Sequence, residues 1–286
     1  MELKKHSAKI LLLLFMAGGA VSCSDNNDEK ETPKGYPTTP FSKIELTQTI
    51  QPSDAQTVTA IQTYAYQSGR LSSYTSLQKY VAVEPVEMKS VTNVTYGDHQ
   101  AMITDDSGTI STYVLNDKGY AISSTRKEMG GSLRTYTFSY LINSEGKHFL
   151  QNITETREDG EVFSSIDLDY STYRALRITQ KIGDSQQAYT ATTQTGHEIK
   201  NISEIPCLFF EELYPMVLHP AALYGKLLGE PFETFITQII PDGNTESKET
   251  INYTYSTNQT GIVTSCREVI NSYGANYVRT VNYIIE

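Results

Sequence analysis

The sequence predicts a mainly β chain. It reads as an antiparallel Tyr- and Thr-rich meander forming a barrel or a curved sheet, with a short helical insertion near 206–229. Three observations predict this. Apolar and polar residues alternate in run after run. Turn residues punctuate the runs at intervals of about 11 to 15 residues, leaving strands of about 7 to 10. One apolar stretch lacks the alternation.

At the N-terminus, Lys4, Lys5 and Lys9 precede the uncharged stretch Ile10–Val21. That is the layout of a secretory signal, too short to cross a bilayer, which takes about 20 apolar residues. The chain continues Ala20-Val21-Ser22-Cys23, which resembles the lipobox of bacterial lipoproteins, with Ala20 where that family most often has Leu. The resemblance implies cleavage before Cys23, a diacylglycerol on its thiol and an acyl chain such as palmitate on the new amine. Each buried methylene contributes about 0.8 kcal/mol, so two or three chains hold a protein on a membrane. Residues 1–22 are therefore read as the signal and 23–40 as a lipidated cysteine with an acidic tether. The tether carries Pro33, Pro37 and Pro40 and no apolar run, so burial cannot offset its ordering entropy. Its Ser-Asp-Asn-Asn-Asp-Glu run resembles the export signal of Bacteroidetes surface lipoproteins.

Residues 41–286 are expected to form a single β-meander domain. Tyr136, Phe138, Tyr140 and Ile142 share one face of a strand, against Thr135, Thr137 and Ser139. Ile166, Leu168 and Tyr170 oppose Asp167 and Asp169, and Ile251, Tyr253 and Tyr255 oppose Asn252 and Thr254. A period of two with one polar face means a sheet buried on one side. Turn signals such as Asp105–Gly108, Asn116–Gly119 and Asn143–Gly146 end the strands, glycine supplying the positive φ of tight hairpins. Ile205–Pro231 breaks the pattern and reads as two short helices. Pro206 and Pro220 suit first turns, and Gly229 suits an end. Its apolar residues, among them Phe209, Leu223 and Tyr224, are expected to pack on the sheet or fill the barrel.

Such a Tyr-rich meander behind a lipoprotein signal, interrupted by His219-Pro220-Ala221-Ala222-Leu223-Tyr224-Gly225, resembles a Bacteroidetes family of unknown function described as having a porin-like fold. The resemblance implies a barrel-like sheet, export, and no transferable catalytic residues. A membrane-spanning barrel needs an outward apolar band about 25 Å tall. With short connections and a lipid anchor, a closed barrel here is expected to be soluble, apolar face inward.

Composition narrows the function. The net charge is −10, and loss of residues 1–22 removes three Lys and one Glu to give −12. That argues against nucleic acid, whose phosphates demand Lys and Arg. Metalloprotease, hydrolase, redox and phosphate-loop motifs do not occur, so neither an enzyme, a cofactor nor a metal is expected. The histidines of the mature chain stand singly. Cys207 and Cys266 read as two buried thiols, although an exported protein permits a disulfide. Three roles remain for an outer-membrane, lipid-anchored protein, facing the surface or the periplasm. It binds an apolar or amphipathic small molecule between the helical segment and the sheet, with Phe209, Leu223, Tyr224, Tyr136, Tyr140, Tyr253 and Tyr255 as contacts. It binds or processes glycan, which the absence of Trp disfavours and the 20 Tyr could serve. Or it is a structural partner of other envelope proteins with no small ligand.

Overall fold

The alternating runs become strands. A computed structural model describes residues 35–51, 58–80, 86–172, 175–193, 196, 198–207, 216, 218–243, 250–272 and 275–286. The segment expected to be a signal, Cys23 and Phe209 lie outside the described residues. The strands are β1 (Lys43–Gln51), β2 (Val58–Gln67), β3 (Arg70–Tyr80), β4 (Val86–Gly97), β5 (Gln100–Asp105), β6 (Ile110–Leu115), β7 (Ala121–Lys127), β8 (Leu133–Ile142), β9 (His148–Thr156), β10 (Val162–Thr172), β11 (Ala175–Ile182), β12 (Ser185–Thr192), β13 (Gln238–Pro241), β14 (Thr250–Thr257), β15 (Val263–Ser272) and β16 (Ala275–Ile285). Each pairs antiparallel with its neighbour in sequence, and β1 closes on β16 with Ile44 opposite Ile285. Of the two alternatives, the closed barrel is the one that forms. It leaves no sheet edge for another chain to extend.

One turn recurs. Asp105, Asn116, Asn143 and Asn258 each accept two backbone amides on the side-chain oxygen, from the residues two and four positions on. Gly108, Gly119, Gly146 and Gly261 follow at positive φ. A short side-chain acceptor and a residue free of Cβ strain are what this hairpin demands.

Because neighbours are antiparallel, hairpins alternate between the two rims. The chain enters at the lower rim, where the amides of Ser42 and Lys43 donate to the Glu286 carbonyl at 2.6 and 3.2 Å. The long β12–β13 connection opens from that same rim. Outward positions are Thr-rich, as at Thr47, Thr63, Thr75, Thr112, Thr135, Thr137, Thr154 and Thr179, with Glu45, Lys79, Asp167, Asp169, Arg177, Lys181 and Arg267 among them. Among the described residues no continuous outward apolar band exists. The inward residues of the lower half are apolar, including Ile44, Leu46, Tyr64, Leu71, Tyr113, Ile166 and Tyr283. The upper half is polar inside. Arg134 meets Glu155 at 2.7 Å, Ser164 donates to the same carboxylate at 2.8 Å, and Arg279 meets Glu268 at 2.7 Å. Charges turned inward must be paired to be tolerated.

The β12–β13 connection plugs the lower half. Asn201 organises it, its amide group donating to the Ile205 and Phe232 carbonyls and accepting from the Ile205 amide. Where two helices were expected, the described residues contain one, α1 (Pro220–Tyr224). His219 caps it by accepting the Ala221 amide on Nδ1, and Pro220 starts it. It stops at Gly225 because Lys226 turns left-handed, at φ 55°. Lys226 is held there by Glu204 at 3.0 Å, Glu230 at 3.2 Å and the Thr38 carbonyl at 3.0 Å. The first of the expected helices lies largely outside the described residues, and Gly229 serves a close approach rather than a helix end. A Cβ there would lie 2.9 Å from the His148 carbonyl oxygen.

Candidate functional site

The described residues among the predicted ligand contacts face the interior, but they do not converge. Tyr136 and Tyr140 lie on β8, and Tyr253 and Tyr255 lie on β14, with five strands between. Tyr255 stacks on Phe235 of the plug at 4.3 Å and lies 6.2 Å from Tyr253. Tyr140 stands apart, its hydroxyl donating to the carbonyls of Ala121 at 2.6 Å and Leu227 at 3.3 Å. Tyr224 stacks on Tyr64 of β2. Burial pushes the Tyr140 and Tyr170 phenols well above their ordinary range, so both remain protonated donors. Cys207 and Cys266 are both buried, and no disulfide joins them.

Of the described contacts, Tyr253 lines a separate recess beside β13, and Leu223 lines a cavity under the plug. It is about 30 Å³ and is shared with Leu150, Tyr170, Cys207 and Leu228. A void of that size holds a water or two and nothing larger.

A wider groove opens at the lower rim, where residues 232–236 leave the wall of β8–β12. It is about 270 Å³, lined by Leu141, Phe149, Tyr170, Leu176, Ala191, Phe232 and Ile236, with Asn143, Thr193, Glu233 and Thr234 at its edges. Phe149, Tyr170 and Phe232 form a strip with ring centres 6.3 and 6.0 Å apart. The Tyr170 hydroxyl is taken by the Leu150 carbonyl at 2.6 Å. The polar edge is largely occupied too. Asn143 Oδ1 accepts the amides of its own turn, and Glu233 accepts from Lys147 at 2.8 Å. Lys147 is held above its ordinary range, mainly by the Glu233 hydrogen bond and then by Glu145. What the groove can recognise is therefore apolar surface. A third recess, about 450 Å³, is a dish of hydroxyl and amide groups around Thr192, Gln238, Asn252 and Thr254.

Sequence reasoning missed the groove, although Leu141 and Phe149 gave a signal. Both stand at outward strand positions, where their neighbours Ser139 and Gln151 are polar. Among the described residues no cluster of three or more His, Cys, Asp or Glu could hold a metal.

Comparison with solved structures finds a porin-like protein from Bacteroides uniformis that is 55% identical. The match covers 89% of this chain and all of that one, with a TM-score of 0.82. A porin-like protein from Bacteroides vulgatus, 12% identical with a TM-score of 0.51, matches over 86% of this chain and 98% of its own and shares the fold alone. Comparison with curated proteins found no match. The chain belongs to the family described as a domain of unknown function (DUF4595) with porin-like fold, whose model matches residues 64–265.

Proposed function

We propose that this chain is an exported lipoprotein of the outer membrane, anchored through acyl chains on Cys23, whose barrel stands in water and does not conduct. The observation that carries the reading is the polarity of the barrel. Threonines and charges face outward, while the lower interior is apolar and plugged. A pore needs the opposite arrangement, an apolar belt outside and an open polar lumen. The porin-like relatives support an envelope location for the fold. Two measurements test the reading. Cys23→Ala should leave an uncut signal or release the protein into soluble fractions, and continued recovery as an acylated membrane protein would overturn the anchor. Purified protein added to a planar bilayer should give no channel steps, and porin-sized steps would overturn the non-conducting barrel.

The molecular role that fits this barrel best is binding of an apolar or amphipathic molecule in the lower-rim groove. A glycan is the second reading, favoured by the strip of Phe149, Tyr170 and Phe232. It is weaker because sugar hydroxyls need free polar partners, and Asn143 and Glu233 already have theirs. Thermal melts with and without a lipid extract of the host test the first reading. An extract that never shifts the melting temperature would move a purely structural role ahead.

A further inference from the structure

We infer that the lower-rim groove is a membrane-docking site that takes an acyl chain from the bilayer surface, so that the barrel sits rim-first on its own membrane. The inference rests on the reading that Cys23 is lipidated. Three observations converge on one rim. The described chain begins there, with Tyr36 packed beside Gly119 and the Thr39 amide bonded to the Gly69 carbonyl at 2.9 Å. The interval from Cys23 to Gly35 can extend to at most about 40 Å, so an anchored barrel keeps this rim, from which the tether leaves, within that distance of the headgroups. The groove opens at the same rim, lined by Leu141, Phe149, Leu176, Phe232 and Ile236. Beside it Ile142 is 57% exposed, and Ile284, on the last strand of the same rim, is 51% exposed.

The chemistry selects an acyl chain over other occupants. The lining is aliphatic and aromatic, and the polar edge is already paired. Each methylene buried in such a groove contributes about fourfold to the binding constant. The nearby charges include both signs, with Lys147 between Glu145 and Glu233, so attraction to anionic headgroups is not the driving term. The upper rim also exposes apolar side chains, Met129 at 82% and Val162 at 62%. The described chain does not enter there, which makes that rim the internal control.

The chain has no Trp, so a single introduced one reports on its own surroundings. Full-length lipidated Ile142→Trp and Met129→Trp would be reconstituted on phosphatidylcholine vesicles with brominated acyl chains. The expected result is at least about twofold quenching and a blue shift for Ile142→Trp, and neither for Met129→Trp. Leu141→Glu in the Ile142→Trp background should abolish the quenching with the circular dichroism unchanged. Flotation with the vesicles but no quenching overturns the docking and leaves the anchor standing. Equal quenching at both rims overturns it as unspecific adsorption. Failure to float overturns the anchor and the docking together.

Discussion

Tyr224 of α1 lies flat on Tyr64 of β2, with ring centres 3.7 Å apart and planes 17° from parallel. Two further contacts lock that pair. Tyr66 donates to the Tyr224 carbonyl at 3.1 Å, and Gly225 leaves no room for a Cβ, which would lie 2.7 Å from the Ala221 carbonyl oxygen. The plug is thus part of the barrel's core, and the barrel without it would have an unfilled apolar lower half.

Tyr224→Ala should therefore cost about 3–5 kcal/mol, the usual range for removing a buried aromatic. Plug and wall should melt together, so urea unfolding followed by tyrosine fluorescence and by far-ultraviolet circular dichroism should give coincident curves. An early transition seen by fluorescence alone would mean that the plug unfolds independently.

Lys226 ties three segments at one point, bonding Glu204, Glu230 and the Thr38 carbonyl while 7% exposed. Lys226→Met leaves two carboxylates without their cation. Breaking a buried pair costs up to about 3–5 kcal/mol, and the partial exposure of Glu204 lowers the expectation to about 2–4. Adding Glu204→Gln should recover part of that loss. If the double variant is no more stable than Lys226→Met, the carboxylates are not the cause.

His219 gives the protein an acid-sensitive term. It sits edge-on to Tyr74 at 5.3 Å between ring centres, with Nε2 3.1 Å from Thr92 Oγ1. Burial, then repulsion from Arg126, depresses its pKa to about 4, with Asp105 opposing. The unfolded chain takes up this proton near pH 6.5, while the folded chain resists until about pH 4. Stability from this group is thus fully present above pH 6.5 and is lost as pH falls toward 4, by at most about 3 kcal/mol. His219→Asn keeps a helix-capping acceptor but cannot titrate. Its stability should fall less steeply than the wild type's between pH 6.5 and 4, and parallel curves would remove His219 as the source.

Much of this fold was legible in the sequence, for a local reason. The alternation around Tyr136, Leu168 and Tyr253 and the turns at Asp105, Asn116 and Asn143 are set by neighbours a few residues apart. Closure was not legible. Pairing Ile44 with Ile285 is a long-range event that no local signal encodes. The helix α1 ends at Tyr224, before the Gly229 that reads as a helix end, because Lys226 turns left-handed, held by Glu204, Glu230 and the Thr38 carbonyl. The groove was missed because it joins outward Leu141 and Phe149 to plug residues Phe232 and Ile236, a combination that only tertiary contact creates.

The last prediction separates a core plug from a pocket lid. Leu228 is 3% exposed and lines the small cavity of about 30 Å³ under the plug. Leu228→Ala adds the volume of the lost side chain to that void. If the segment is a plug, the neighbours Leu150, Tyr170 and Pro206 are held by the wall and by Asn201 and cannot collapse inward. The cost should then be about 3–5 kcal/mol, and the enlarged, apolar cavity should bind xenon or benzene. Leu223→Ala, at a half-buried position lining the same void, should cost less, about 2–3 kcal/mol. If the segment is a lid over a natural site, at least one of the two changes should leave the free protein's melting temperature nearly unmoved while weakening the shift produced by host lipid extract. Paired melts of both variants decide the matter. Large losses in the free protein, with the extract-induced shift retained, assign ligand binding to the rim groove rather than to the space beneath α1.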